Sequence, residues 1–542
     1  MRIYAIAILA CAAGAAGCAN SGFPEVVDVR DVSTTFGPPS ISRIRDAGEV
    51  ALPQTGVWKG EPDGIAGPGE LLVIEGDNFG RLPTVSIGGR ATAVVARTEG
   101  GGIIARVPTG VPVGDVPIVV SQPKGRAEKM FPMRRLAVVV HDGQVMFLRV
   151  DKDRAELLGK PLAAPGARIV RISADGGAAY VVVNRADGDH LAAIDLCAPG
   201  GPRIADEKKL SHHGALLAAA MDAPVAAVVG DGEITMVSTR DPRGPRLYEP
   251  MDLPMGAKAP RAIELSPDGK LLALLVGEGN RLVAMDVASP PNGNVVTSVD
   301  LLPDQKLPLV RDLAFASDGE TLWIVSGDND KSLPALQPTR LTAVRILPEE
   351  QAPSAATPPP PTPPADKKNT RIVSLWRTQS VPGAAAPLRV AVARGQPVAS
   401  GTTIRMPPEK AAVFVTALND AIFKLADVAL GTPAGAKAVA KLWHPPQPGM
   451  LVRADINGGG GPMFTTVEIP SALDLTPDAQ LVVATATRVT PAPASDGVVL
   501  DFGVMFAPIW GSTVSPVFLP LGKIDAKEVK PPFLIGDIRI QP

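Results

Sequence analysis

From Pro39 onward, short apolar runs alternate with turn-forming residues. Leu71-Leu72-Val73-Ile74 leads into Gly76-Asp77-Asn78-Phe79-Gly80, and Val85-Ser86-Ile87 alternates before Gly88-Gly89. The runs Ala93–Val95, Ile103–Val107 and Val116–Val120 follow, separated by Gly and Pro. Strands of four to six residues at intervals of about 8 to 15 predict a small β-sandwich over residues 39–133. Glycine permits its tight turns, and Phe79 can plug one end of it. The stretch from Asp46 to Pro68 is expected to be a loop between the first two strands.

From Leu136 a longer unit repeats. Val170-Arg171-Ile172-Ser173-Ala174-Asp175-Gly176 leads to Tyr180–Val183, and Ile263-Glu264-Leu265-Ser266-Pro267-Asp268-Gly269 leads to Leu271–Val276. Leu313–Gly319 and Leu473–Asp478 repeat the pattern, with degenerate copies at Met221–Pro224 and Pro407–Lys410. Successive turn aspartates Asp175, Asp222, Asp268 and Asp318 lie 47, 46 and 50 residues apart. A period of about 45 with several strands per unit predicts a propeller. Asp175, Asp268 and Asp318 are expected to bond nearby backbone N–H groups as turn formers. Six hairpins are countable. Leu136–Val140 and Gln144–Arg149 make an incomplete further blade that Phe533–Ile540 can complete, hiding edges that would otherwise invite aggregation. The count is then seven blades, with six or eight left open.

The residues Gly76–Gly80, Val85–Gly89, Ala93–Val95, Val107-Pro108 and Gly114–Val120 resemble the pattern of an IPT/TIG domain. That resemblance implies an immunoglobulin-like sandwich over 39–133. The Ser-Pro-Asp-Gly hairpins resemble YVTN-type β-propeller repeats, implying a propeller over 135–542. The fold class expected is therefore all-β, an immunoglobulin-like sandwich followed by a β-propeller. Pro353–Pro364 interrupts the repeat and is expected to be a solvated, polyproline-like loop between neighbouring strands.

The N-terminus has a different character. Met1-Arg2 precedes an apolar stretch, Ile3 to Ala16, that is too short to span a bilayer and fits a signal peptide. It ends in Ala15-Ala16-Gly17-Cys18, which resembles the bacterial lipobox, with Ala15 where Leu is usual. The resemblance implies removal of residues 1–17, lipidation at Cys18 and a tether over 18–38; Cys11 is a second candidate. Ala19, rather than Asp, follows the cysteine, which by resemblance to lipoproteins of diderm bacteria favours the outer membrane. The expected location is thus the cell envelope, with the membrane as a partner through the lipid. Cys197, the third cysteine, then has no partner within the chain and follows the apolar run Leu191–Leu196, so a buried small hydrophobe is expected.

Composition narrows the function. With 542 residues, about one in five Gly or Pro, and 45% apolar residues, the chain suits many short strands and several domains. Its net charge of −2 provides no electrostatic footprint for nucleic acid. Aromatics at 4% make large stacking platforms improbable. There is no Gly-x-Ser-x-Gly elbow, His-Glu-x-x-His, P-loop or Rossmann fingerprint. Of the five histidines, His212 and His213 are adjacent, would point to opposite faces of a strand, and are expected in an exposed loop. Asp328 with Asp330, and Asp187-Gly188-Asp189-His190, read as polar turns. No catalytic, cofactor or metal residue is assigned, and no cofactor is expected.

Two functions remain. One is a non-catalytic binding or scaffold module for a protein or polysaccharide partner in the envelope. The other is a lactonase- or dehydrogenase-like propeller enzyme. The second requires acids or histidines converging on the central channel, and the repeat strands, dominated by Val, Leu and Ala, lead us to expect few. Substituting Cys18→Ser should move the protein from the membrane pellet to the soluble fraction; a variant that still sediments with membranes refutes lipidation there.

Overall fold

The structure, a computed structural model, describes residues 37–48, 64–98, 100–150, 155–198, 201–241, 244–254, 260–276, 281–290, 292–300, 309–327, 338–348, 371–392, 412–419, 449–455, 460–466, 468–476, 481–491, 498–508, 516–524 and 536–542. The expected signal peptide, nearly all of the tether, Cys11, Cys18, Asp328, Asp330, His444, the Pro407–Lys410 copy and the Pro353–Pro364 loop lie outside these residues.

The first eight strands are β1 (Ser40–Gly48), β2 (Leu71–Asp77), β3 (Thr84–Ile87), β4 (Arg90–Thr92), β5 (Val94–Arg97), β6 (Ile103–Arg106), β7 (Gly114–Gln122) and β8 (Gly125–Met133). They form two antiparallel sheets, β1-β2-β6-β5 and β4-β3-β7-β8. The period-2 pattern explains how they face each other. Val85 and Ile87 of β3, and Val116, Ile118 and Val120 of β7, point inward against Leu72, Ile74 and Ile103. Phe79 is buried at one end of this core. Gly76 makes room for it: a Cβ there would lie 1.9 Å from the Ser40 carbonyl oxygen and 2.8 Å from the Phe79 ring.

Six further sheets follow. The first contains β9 (Arg135–His141), β10 (Gln144–Val150), β11 (Ala155–Leu157) and β12 (Leu162–Ala163). The second is β13 (Val170–Ile172), β14 (Ala178–Arg185), β15 (Gly188–Asp195) and β16 (Arg203–Lys209). The third is β17 (Leu216–Ala219), β18 (Val225–Gly230), β19 (Glu233–Ser238), β20 (Arg246–Leu247) and β21 (Met251–Asp252). The fourth is β22 (Ala262–Leu265), β23 (Leu271–Val276), β24 (Arg281–Ser289) and β25 (Asn292–Asp300). The fifth has seven strands: β26 (Leu309–Phe315), β27 (Thr321–Gly327), β28 (Pro338–Pro348), β29 (Arg371–Val392), β30 (Ala412–Asn419), β31 (Gly449–Asp455) and β32 (Gly460–Thr466). The sixth is β33 (Glu468–Leu475), β34 (Leu481–Pro491), β35 (Val498–Pro508) and β36 (Val517–Ile524). The last strand, β37 (Asp537–Ile540), returns to the first sheet and pairs with β9, Asp537 opposite Val140 through Ile540 opposite Ala137.

Among the described side chains, the sheets are apolar where they pack against their neighbours. One core joins the first and second sheets through Val138, Phe147, Val181 and Ile194. Others join the second to the third, the third to the fourth and the fourth to the fifth. Val139, Leu148, Val483 and Phe502 join the first sheet to the sixth, and Ala391 of β29 packs against the sixth. The sheets therefore stand in a propeller-like ring.

Tight turns fall at one end of that ring. Ser173 Oγ donates to Asp175 Oδ1 (2.6 Å) and accepts the Ala178 N–H (3.0 Å), while Asp175 Oδ1 also accepts the Gly177 N–H (3.0 Å). Ser266, Asp268 and Leu271 repeat the arrangement, and Asp318 does the same with Thr321 and the Glu320 N–H. The turn aspartates thus bond backbone as their sequence pattern predicts. Because the strands are antiparallel, the turns after β14 and β18, and the segments entering β13 and β17, fall at the opposite end.

The sandwich sits on the tight-turn end. Gly69 has φ +87°, and a Cβ there would lie 2.7 Å from the Gly177 backbone. Gln541, just past β37, accepts the Leu136 N–H through Oε1 (2.8 Å) and donates through Nε2 to the carbonyls of Gly176 (2.8 Å) and Pro68 (3.4 Å). Fully buried Arg135 donates to the Val111 carbonyl (2.6 Å). Cys197 is buried in the same seam, its Sγ 3.8 Å from the Pro68 and Gly177 carbonyls.

Glu70 anchors the link between the two parts. Its carboxylate is buried, 3.0 Å from Arg134 Nη2, and accepts the Gly67 N–H (2.8 Å). Burial outweighs the Arg134 guanidinium, and Asp46 adds to it, so the Glu70 pKa is pushed up to about 7. An acid raised in this way contributes stability that is full below its unfolded value of 4.5 and lost as pH rises through about 7. Glu70→Gln, which keeps the neutral form, should therefore gain on the native chain by up to about 3 kcal/mol between pH 4.5 and 8. Urea unfolding across that range measures it; a constant difference between the two proteins refutes the assignment.

Candidate functional site: the channel and the free face of the ring

The inner strands enclose a cavity of about 80 Å³ on the ring axis, lined by residues of β13, β17, β22, β26, β29, β33 and β37. Five of its lining residues are charged: Arg171, Glu264, Asp312, Asp474 and Arg539. The expectation of few inward charges is corrected here. Its reason is positional: Arg171, Glu264 and Asp474 stand four residues before Asp175, Asp268 and Asp478 in the sequence, as the middle residue of an otherwise apolar triplet. Each triplet buries its outer two residues between sheets and leaves the middle one at the axis. A polar residue recurring at that position was the available signal.

The channel carboxylates are engaged from strand to strand. Asp537 Oδ2 accepts the Val170 N–H (3.1 Å) and pairs with Arg171 Nη1 (3.0 Å), tying β37 to β13. Asp474 Oδ2 accepts the Ile540 N–H (2.9 Å), tying β33 to β37, and Asp312 Oδ2 accepts the Val390 N–H (3.1 Å), tying β26 to β29. Arg539 donates to the Leu473 carbonyl (3.3 Å). Burial disfavours its charge, but Asp537, Asp474, Glu264 and Asp312 surround it and hold the guanidinium protonated more firmly than usual.

The end of the ring opposite the sandwich carries the histidines of the second and third sheets. The turn at Asp187 behaves as expected for a polar turn: its carboxylate meets His190 Nε2 (3.0 Å) and Lys209 Nζ (3.1 Å), and Lys209 first, then His190, lowers its pKa. Asp189 does more. Its buried carboxylate accepts the Gly214 N–H (2.9 Å) and meets His213 Nδ1 (2.5 Å), joining the second sheet to the third. His213 is exposed, as expected for a loop residue. His212 is not: it is buried, and the expectation of exposure is corrected. Its Nδ1 faces the His213 carbonyl (3.1 Å) and must donate, so Nε2 accepts from the Thr235 hydroxyl (2.9 Å). That satisfied pair inside the sheet is invisible to a reading of exposed loops. Among the described residues, no group of three His, Cys, Asp or Glu is placed to hold a metal ion.

No protein-family model matches the chain, and no curated protein matches it. Among solved structures, the chain is similar to a Lactobacillus plantarum protein at 10% identity and TM-score 0.44, over 75% of this chain and 100% of that one. It is similar to a putative 6-phosphogluconolactonase of Bacteroides fragilis at 12% identity and TM-score 0.42, over 75% of this chain and 98% of that one. A β-propeller domain from Myceliophteria thermophila overlaps 66% of this chain and 88% of its own, at 10% identity and TM-score 0.36. The hydrogen-bonded sheets, rather than these low overlaps, define the ring.

Replacing Arg539 with Met should leave four carboxylates around the axis with Arg171, which pairs with Asp537, as the cation among them. We expect a loss on the order of 3 kcal/mol at neutral pH, shrinking in acid as protonation of carboxylates removes the repulsion. Denaturant titration at pH 7 and pH 4 reads both values. A loss independent of pH would mean that packing, not charge, is what Arg539 supplies.

Proposed function

We propose that this chain is a lipid-anchored, non-catalytic binding module of the bacterial envelope: an IPT/TIG-like domain over 39–133 seated on a seven-bladed propeller over 135–542. The seven-stranded sheet supports this count when taken as two blades. The first part of β29 pairs with β28 as an outer strand, and its last residues pair with β30. Val390, Ala391 and Val392 also line the axis as an inner strand does.

The observation that carries the binding reading is the engagement of the channel carboxylates. Asp312, Asp474 and Asp537 each accept a backbone N–H of the next inner strand, which is a structural task. A catalytic acid or base needs a reacting atom within hydrogen-bond reach, and these oxygens are directed at the ring itself. The end opposite the sandwich then serves as the surface for a protein or envelope polymer, presented by loops on a rigid scaffold.

Crosslinking in native envelopes should capture a specific partner, and purified protein should show no turnover of lactones, sugars or alcohols above a heat-denatured control, with or without Ca²⁺. The competing reading is a lactonase- or dehydrogenase-like enzyme, favoured by the convergence of acids on the axis. Turnover that tracks the purified protein and disappears in Asp312→Asn would establish it.

A further inference from the structure

At the end of the ring away from the sandwich, a cleft of about 130 Å³ opens between the second and third sheets. Ile169, Val182 and Leu216 give it apolar walls, and Arg168, Asn184 and His213 supply its polar groups. His213 is fixed from two sides although its side chain is 60% exposed. Its Nδ1 lies 2.5 Å from Asp189 Oδ2, and its backbone N–H donates to Asp231 Oδ2 (2.9 Å). Asp189 is itself anchored by the Gly214 N–H (2.9 Å). With a carboxylate on Nδ1, the tautomer is set and Nε2 is the ring atom left for another partner.

The pair satisfies the buried Asp189 carboxylate, while the exposed His213 ring faces the cleft. Charge selects the ligand. Of the residues lining the cleft, the two that ionise, Arg168 and His213, are both basic. Asp189 and Asp231 stand behind His213 and do not line the cleft, which disfavours a dianion while leaving room for a single negative charge.

We propose that this cleft binds a small aliphatic carboxylate. The carboxylate lies between the Arg168 guanidinium and protonated His213, Asn184 donates a further hydrogen bond, and the short alkyl chain rests on Ile169, Val182 and Leu216.

Calorimetric titration of the full chain with butyrate, butyramide and inorganic phosphate tests it, at pH 5.5 and pH 8.5. Butyrate should bind, more tightly at the lower pH, and butyramide and phosphate should not. The charged groups around His213 are Asp189 on β15, Asp231 in the turn after β18 and Arg168 before β13. His213→Gln should weaken butyrate about tenfold at pH 5.5 and abolish the pH dependence, the worth of one charge-assisted hydrogen bond. Arg168→Gln should weaken it at both pH values, and His190→Gln, outside the cleft, should change nothing. Unchanged melting temperatures would certify that the variants fold. Butyramide binding as well as butyrate, butyrate failing to bind at millimolar concentration, or His213→Gln binding like the native chain would each overturn the proposal.

Discussion

The closing strand holds the ring together. β37 is four residues long, yet it completes the first sheet by pairing with β9. It reaches the neighbours on both sides: the Asp537 carboxylate accepts from β13, and the Ile540 backbone N–H donates to Asp474 of β33. Gln541, one residue further, bonds the start of β9, the first tight turn and the sandwich. A sheet left open here would expose the β9 edge, the kind of edge that seeks another chain. Closing it joins sequence positions about 400 residues apart, so ring formation is a late, non-local event by loop-closure reasoning.

The same seam fixes the sandwich against the ring. Gly69 and Gly177 approach too closely for any side chain, and Arg135 passes fully buried from one part into the other. This contact covers part of the tight-turn end. The consequence is a division of labour between ends: one is occupied by packing, and the other carries the polar groups of the second and third sheets.

The axis shows how charge can serve architecture. Carboxylates at the inner strands accept N–H groups from neighbouring strands, and Arg539 balances them. Burying charge is costly unless it is paired and hydrogen-bonded, and here both conditions are met by atoms of different sheets. The pairing therefore selects one angular arrangement of the sheets over others that would bury the same apolar area.

Local pattern in the sequence determined the elements. Alternation in Val85-Ser86-Ile87, the Ser-x-Asp-Gly turns and their spacing specify strands and hairpins because these depend on neighbouring residues alone. The role of Asp268 as a turn former was legible for that reason, as was the apolar setting of Cys197. What the pattern did not disclose depends on residues far apart in the chain. Arg171, Glu264, Asp474 and Arg539 meet only when the ring closes, so each looks like a stray polar residue in an apolar triplet. His212 is buried because the Thr235 hydroxyl, from a different strand, donates to its Nε2 there. Asp189 and His213 belong to adjacent sheets, and their pairing follows from how those sheets pack. Tertiary structure decided all of these, because only sheet packing brings such side chains within hydrogen-bond reach of one another.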